Sequence, residues 1–216
     1  MIFLSFDIAS RSLAFTLMNY NINFLTEVER LALSRNSTLA EMTYLLNSSL
    51  VIRLCDVVDL NQGKTNKEIT QLEKTKKLKE VLTVLTILLE EFRQLNPAED
   101  VRVLLEYQMS ANYQANVVFN QIFYHFIDYS PITIAPCYKN KVFFKEELMY
   151  KTFSDKYATS YSANKAHTKA NFLYFLEAFN MSNSISHIKK KNIDDAADSF
   201  MQVFAYVNYY LKKNQS

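Results

Sequence analysis

The chain has 216 residues, of which 49% are hydrophobic, and it contains one glycine, two cysteines and no tryptophan. A single glycine excludes the Rossmann fingerprint and the P-loop, because both need several glycines where the backbone approaches phosphate, so we expect no nucleotide cofactor. The 24 basic and 22 acidic residues nearly balance, and this total does not by itself indicate a nucleic-acid partner.

Compartment and membrane association follow from equally simple counts. Two cysteines are too few for a disulfide scaffold or a thiolate zinc site, which favours an intracellular, reducing compartment. No apolar run approaches the roughly 20 residues of a membrane span. The first ten residues, MIFLSFDIAS, lack the basic flank of a signal peptide and are typical of a first strand. We therefore expect no membrane partner.

The first sixty residues predict three strands. IFLSFDI is β-branched and aromatic with one embedded acid, and LAFTLMNYN follows after a polar turn, so the two can pair as a hairpin. A third strand is expected within LVIRLCDVVDLN. The sequence Asn61-Gln62-Gly63 ends it, and the only glycine therefore falls in a loop, where a positive φ costs little.

The middle of the chain predicts helices that alternate with strands. Apolar residues recur every three or four positions from about Asn66 to Asn96, and Pro97 follows this helix. VRVLLEYQ is typical of a central strand. A helix near 115–127 and the strand PITIAPCY come next.

The last part of the chain predicts two more helices, over about 168–179 and 193–212, with a polar, mobile loop at 155–168. The fold class is therefore α/β, with a mixed central sheet flanked by helices. No linker divides the chain, so we expect a single domain over residues 1–216.

Two acids stand where apolar strands are predicted. Asp7 lies within FLSFDI, and Glu106 ends VLLE. A carboxylate in a buried strand costs several kcal/mol unless it is paired, protonated or bound to metal. The alternative is that both strands end at the rim of the sheet, where water solvates the acids.

The last predicted helix carries three more acids on one face. At 100° per residue, Asp194, Asp195 and Asp198 fall within one side of the helix. Asn192 as N-cap and the helix dipole explain the first two acids, but the dipole effect fades before Asp198. Carboxylates from two strands and this helix could converge on Mg²⁺ or Mn²⁺, and two such ions would support phosphodiester hydrolysis.

Four segments resemble the RuvC-like Holliday junction resolvases, and within them the poxvirus-type viral branch. LSFDIASRSLAF is similar to that family's first strand and turn, and LLEYQMSANYQANVVFNQIFYHF to its strand and following helix. SANKAHTKANF resembles the stretch that carries a lysine ahead of a DNA-facing helix. KKKNIDDAADSF resembles the signature at the start of the last helix, and it is the most specific of the four.

The resemblance implies a ribonuclease H-like fold and a homodimer. Its substrate would be branched DNA in the form of a four-way junction, which it would cut by symmetric paired nicks at the crossover. The catalytic carboxylates and metal ligands would be Asp7, Glu106, Asp195 and Asp198. The family pattern places a ligand at Asp195, whereas helix geometry alone also accepts Asp194. The cofactor would be Mg²⁺, or Mn²⁺ in its place, with two ions in each active site.

Three lysines would contact DNA phosphates, namely Lys139, Lys141 and Lys165. The stretch 139–191 holds ten lysines against four acids, which fits either a DNA-facing patch or codon bias with a solvated surface. A viral origin, and with it the host-cell cytoplasm, follows only from the resemblance. It fits a composition that leans to Asn, Lys, Ile, Phe and Tyr, the residues with AT-rich codons.

One departure from the family concerns Ala9, because relatives usually carry glycine there. Alanine costs about 1 kcal/mol if the backbone needs a positive φ, and little if glycine only gave room. Two other functions stay open at this point. One is a ribonuclease H-like nuclease with another substrate, such as an RNA–DNA hybrid, a flap or a transposase-like strand transfer, and the other is a catalytically silent junction binder.

Overall fold

The computed structural model describes residues 1–20, 50–108, 112–136, 159–178 and 181–213. Within these residues five strands and four α-helices form. In chain order they are β1 (Ile2–Ile8), β2 (Ser12–Tyr20), β3 (Leu50–Asp59), α1 (Gln71–Leu95), β4 (Val101–Glu106), α2 (Tyr113–His125), β5 (Ile132–Ile134), α3 (Ser160–Ala178) and α4 (Ile193–Lys213).

The strands form one mixed sheet in the order β3-β2-β1-β4-β5. The predicted hairpin is confirmed, since β1 and β2 are antiparallel, and β3 pairs antiparallel with β2. On its other side β1 pairs with β4 in parallel, and β4 pairs in parallel with β5. Every residue of the central strand β1 is buried, as expected for a strand covered on both faces.

The two faces of the sheet follow from the alternation of side chains along β1 and β4. Ile2, Leu4, Phe6 and Ile8 pack with α1 and α2, whereas Phe3 packs with α3 and α4. Asp7 is four residues after Phe3, so it shares the side of α3 and α4.

The same rule applies to β4. Leu105 packs with α1 and α2, and Leu104 packs with α3 and α4. Glu106 follows Leu104 by two residues and therefore lies on the face of α3 and α4. The acids of both strands thus lie on one side of the sheet.

Helices α3 and α4 contact each other through pairs of aromatic rings. The ring centroids of Phe175 and Phe204 lie 4.8 Å apart, and those of Phe172 and Phe200 lie 5.1 Å apart. All four side chains are buried. Such pairs stabilise a core beyond the area that they bury. These ring contacts fix α3 against α4, and they therefore determine how the more polar first halves of the two helices face each other.

Hydrogen bonds between buried side chains fix α4 on the sheet. Ser5 Oγ donates to Gln202 Oε1 at 3.1 Å, and the hydroxyls of Thr16 and Ser199 are 2.9 Å apart. A shift of α4 along the sheet would leave these buried groups unpaired, which is costly. The bonds therefore set the position of the acids at the start of α4.

The predicted loop at 155–168 is wrong from residue 160 onward, because α3 begins at Ser160. Thr159 Oγ1 accepts a hydrogen bond from the Ser162 amide at the start of this helix. The polar residues His167 and Thr168 are buried in α3, and buried polar residues are what the hydrophobic pattern cannot reveal. Residues 155–158 lie outside the described residues.

The remaining predicted elements are confirmed, although α1 begins at Gln71 rather than near Asn66. Strand β5 is only three residues long, shorter than the predicted strand PITIAPCY, whose residues 137–138 lie outside the described residues. Gly63 lies in a loop with φ of 83°, as predicted. Within the described ranges, no helix is long and apolar enough to cross a membrane.

Candidate active site

One cavity of about 450 Å³ is lined by the four carboxylates predicted from sequence, Asp7, Glu106, Asp195 and Asp198. Asp7 and Glu106 lie at the carboxyl ends of neighbouring parallel strands, immediately after the paired residues Phe6 and Leu105. The first two turns of α4 contribute the other two acids. The remaining lining residues are Ile8, Ala9, Pro136, Tyr161, Asn164, Lys165 and Thr168.

The burial of these acids shows whether they lie in the interior or at the solvated rim of the sheet. Asp7 is 8% exposed and Asp198 is 3% exposed, so the alternative of a solvated rim is wrong for Asp7. Glu106 is the last residue of β4 and is only partly buried, as the rim alternative expected. Two carboxylates removed from water need compensating charge or hydrogen bonds nearby.

Lys165 supplies part of that compensation. Its ammonium forms an ion pair with Asp198, and the aspartate side chain is almost completely buried. Lys165 lies in the second turn of α3, which the sequence pattern had assigned to a loop. The lysine predicted as a phosphate contact therefore lies inside the carboxylate cavity.

Asp195 is held by the hairpin. Ser12 Oγ donates to Asp195 Oδ2 at 3.0 Å. Burial raises the pKa of Asp195, the negative charge of Asp7 raises it further, and the Ser12 hydrogen bond and the Lys165 ammonium act in the opposite direction. The two carboxylates therefore repel each other in a partly dry environment.

Asp194 lies outside the carboxylate cavity. Its Oδ1 is 2.9 Å from Lys169 Nζ, and both side chains are more than a third exposed. It lines a neighbouring groove instead. Of the two adjacent acids that helix geometry allowed, Asp195 is the one at the cavity.

Ala9 adopts an ordinary backbone conformation. Among the described residues other than glycine, only Gln62 and Ser130 have a positive φ. The Ala9 amide donates to the Ser12 carbonyl at 3.1 Å, within the turn of the hairpin. Alanine at this position therefore carries no left-handed strain.

Two hydroxyl residues at the site were not predicted from sequence. Thr168 lines the cavity, and Ser12 lies beside it through its hydrogen bond to Asp195. Both belong to segments that carried the resemblance, and their nearness in sequence to Asp7 and Lys165 was the only available signal. His167 is buried within α3. Burial lowers its pKa to about 4, so the ring is neutral at pH 7. Lys139 and Lys141 lie outside the described residues.

The donor chemistry of the cavity fits a hard divalent cation. Four carboxylates against one ammonium leave a formal charge of −3. The pKa of Asp195 is raised first by burial and then by the charge of Asp7, and a bound cation would relieve the repulsion between these carboxylates. In the described part of the chain, however, no group of three His, Cys, Asp or Glu side chains is arranged to hold a metal ion. Carboxylate oxygens are ligands that suit Mg²⁺ or Mn²⁺, and metal binding would require these side chains to move closer together.

Comparisons with known proteins give a likeness of fold. No protein-family model matches the chain, and no curated protein matches it in sequence. The fowlpox virus resolvase in complex with Holliday junction DNA is 17% identical, with a TM-score of 0.53 over 98% of this chain and 99% of that one. The fowlpox virus Holliday junction resolvase in a second structure is also 17% identical, with a TM-score of 0.51 over 97% and 99% of the two chains.

A bacterial protein has a similar fold. RuvC of Thermus thermophilus in complex with a Holliday junction substrate is 9% identical, with a TM-score of 0.50 over 95% of both chains. At these identities the likeness establishes the fold. The chain has the ribonuclease H-like fold of RuvC-type resolvases, which confirms the fold that the sequence resemblance implied.

Proposed function

We propose that this protein is a structure-selective DNA endonuclease that resolves four-way junctions. One observation carries the proposal: Asp7, Glu106, Asp195 and Asp198 line a single cavity. The fold is that of solved resolvases bound to Holliday junction DNA, which supports the substrate. Carboxylates from the sheet and the last helix are the donor set that phosphodiester hydrolysis with divalent metal needs.

In the proposed chemistry the four acidic side chains share one role, which is to hold the metal ions. Asp7, Glu106, Asp195 and Asp198 would hold Mg²⁺, or Mn²⁺ in its place, with two ions in each site. Bound divalent ions supply an activated water and stabilise the leaving oxygen. Ser12 would orient Asp195 through its hydrogen bond.

Lys165 would orient Asp198 through the ion pair that joins them. Its ammonium would also bring a positive charge beside the scissile phosphate, because it lines the same cavity as the carboxylates.

The proposal also covers the oligomeric state, the domain organisation, the phosphate contacts and the compartment. A four-way junction has two-fold geometry, so a homodimer would present two sites to opposing strands and cut them at matched positions. We further propose a single nuclease domain over residues 1–216, phosphate contacts by Lys139, Lys141 and Lys165, and action in a reducing intracellular compartment, the host-cell cytoplasm for a viral protein.

Cleavage of a synthetic four-way junction by the full chain tests the proposal. Duplex, flap and RNA–DNA hybrid substrates serve as controls, each with Mg²⁺ and with a chelator. We expect metal-dependent nicks at matched positions on opposing strands. Preferential cutting of the hybrid or the flap would contradict resolution and favour another ribonuclease H-like nuclease.

A matched pair of variants connects the activity to the cavity. Asp195→Asn removes one carboxylate from it, and Asp128→Asn removes the same charge from an exposed residue outside it. We expect the first variant to bind the junction without cutting it and the second to cut normally. Junction binding without cleavage by the unaltered chain would identify a silent binder.

A further inference from the structure

A second cavity opens beside the carboxylate cavity. This lysine groove has a volume of about 690 Å³ and lies between α3 and the start of α4. Tyr161, Lys165 and Asp195 line both cavities, so the two adjoin. The other residues that line the groove are Ser162, Ala166, Lys169, Ala170, Leu173, Lys191 and Asp194.

The two cavities differ in charge. Three lysines against Asp194 and Asp195 give the groove a formal charge of +1, whereas the carboxylate cavity has −3. Lys165 and Lys169 are four residues apart on α3, hence on one side of the helix and about 6 Å apart along its axis. Lys191 precedes α4 and reaches the groove from the opposite wall. An anionic chain leaving the carboxylate cavity would meet ammonium groups on both walls.

Two of the three lysines of the groove, Lys169 and Lys191, are available to such a ligand. Lys191 is exposed and makes no ion pair with another described residue. Lys169 pairs only with Asp194 among those residues, and exposed ion pairs of this kind are weak. A phosphate that approached Lys169 could therefore replace the carboxylate of Asp194.

We infer that the lysine groove binds the sugar–phosphate backbone of the DNA strand next to the phosphate at the carboxylate cavity. Lys169 and Lys191 contact its phosphates, and Asp194 competes with the DNA for Lys169. The inference rests on the proposed nuclease function, because the position of the groove next to the carboxylate cavity is what identifies the ligand as the cleaved strand. Small side chains between the lysines, Ala166 and Ala170, leave room for the backbone of that strand.

The salt dependence of DNA binding tests the inference. Junction affinity of the full chain is measured by fluorescence anisotropy in chelator, across a series of salt concentrations. Each phosphate contact contributes about 0.9 to the slope of log affinity against log salt. We expect the double variant Lys169→Gln/Lys191→Gln to lose roughly 1.8 from the slope and at least tenfold in affinity at low salt.

The matched control carries the same charge change on α1, across the sheet from the groove. Lys76→Gln/Lys79→Gln alters two exposed lysines, and we expect it to keep the slope of the unaltered chain. Equal slopes for the two double variants would overturn the inference. Cleavage by the unaltered chain is scored separately, so a failure of the nuclease proposal is distinguishable from a failure of the groove.

Asp194→Asn tests the competition directly. Removal of its negative charge releases Lys169, so we expect junction affinity to rise severalfold. Unchanged or weaker binding would overturn the competing role of Asp194.

Discussion

Ser12 Oγ lies 3.0 Å from Asp195 Oδ2 and donates a hydrogen bond to it across 183 positions of the chain. The bond joins the first hairpin to the last helix beside the carboxylate cavity, which Asp195 lines. It also opposes the burial and the charge of Asp7, which raise the pKa of Asp195. A side chain at the start of β2 therefore influences a carboxylate at the other end of the sequence.

Ser12→Ala should reduce cleavage more than stability. A hydrogen bond to a charged group contributes about 1.5 kcal/mol, so we expect roughly a tenfold lower rate at saturating junction. The control is Ser10→Ala in the same turn, where only the backbone carbonyl forms a described hydrogen bond, to Lys74. Equal rates for the two variants would remove Ser12 from the proposed positioning of Asp195.

Asp198→Asn should abolish metal-dependent cleavage and leave junction binding intact. The change removes a buried carboxylate and leaves the ammonium of Lys165 without that partner. Because Lys165 is partly exposed, we expect the free energy of unfolding to fall by only about 1–2 kcal/mol in urea titrations. Full retained cleavage would exclude Asp198 from the metal site.

Divalent metal should stabilise the folded chain in the absence of DNA. The cavity has a formal charge of −3, and a cation that binds only the folded state stabilises it by about 2.7 kcal/mol at 100 times its Kd. For a chain of this size we expect Mn²⁺ to raise Tm by roughly 5–10 °C, reversibly with chelator. Asp195→Asn should reduce the shift, whereas Asp128→Asn should not. An unchanged Tm at millimolar Mn²⁺ would argue against a metal site.

Cys55 should resist alkylation in the folded protein. Burial raises the pKa of its thiol from 9.0 to about 12, so only ~10⁻⁴ of it is thiolate at pH 8. Because the folded pKa is the higher one, the associated stability is fully present below pH 9 and is lost as the pH rises toward 12.

Iodoacetamide labelling in a Cys137→Ser background measures this protection. We expect slow labelling in buffer and rapid labelling in urea, and a decline of the urea midpoint above pH 9. Rapid stoichiometric labelling of the folded chain at pH 8 would contradict the burial of Cys55.

The sequence was sufficient for the strands and most helices, because period-two and period-3.6 patterns are local. It also identified Asp7 and Glu106 as unusual, since an acid among apolar residues is visible without a structure. The closeness of Asp7 to Glu106 could not be predicted from local patterns. It depends on the parallel pairing of β1 with β4, which joins residues about a hundred positions apart.

The start of α3 and the choice between Asp194 and Asp195 could not be predicted from local patterns. His167 is a polar residue buried in α3, so the hydrophobic pattern missed the first half of that helix. The two aspartates are neighbours at the start of one helix, and only the packing of α3 against α4 directs one to the cavity and the other to Lys169.

The position of α4 against the centre of the sheet has a consequence for protein synthesis. Asp7 and Glu106 leave the ribosome long before Asp195 and Asp198, and the four acids meet only after the last helix has docked. A chain that stops before Ile193 lacks half of the carboxylate set. The DNA-cutting centre proposed here is therefore incomplete in nascent chains and in any chain that terminates before α4.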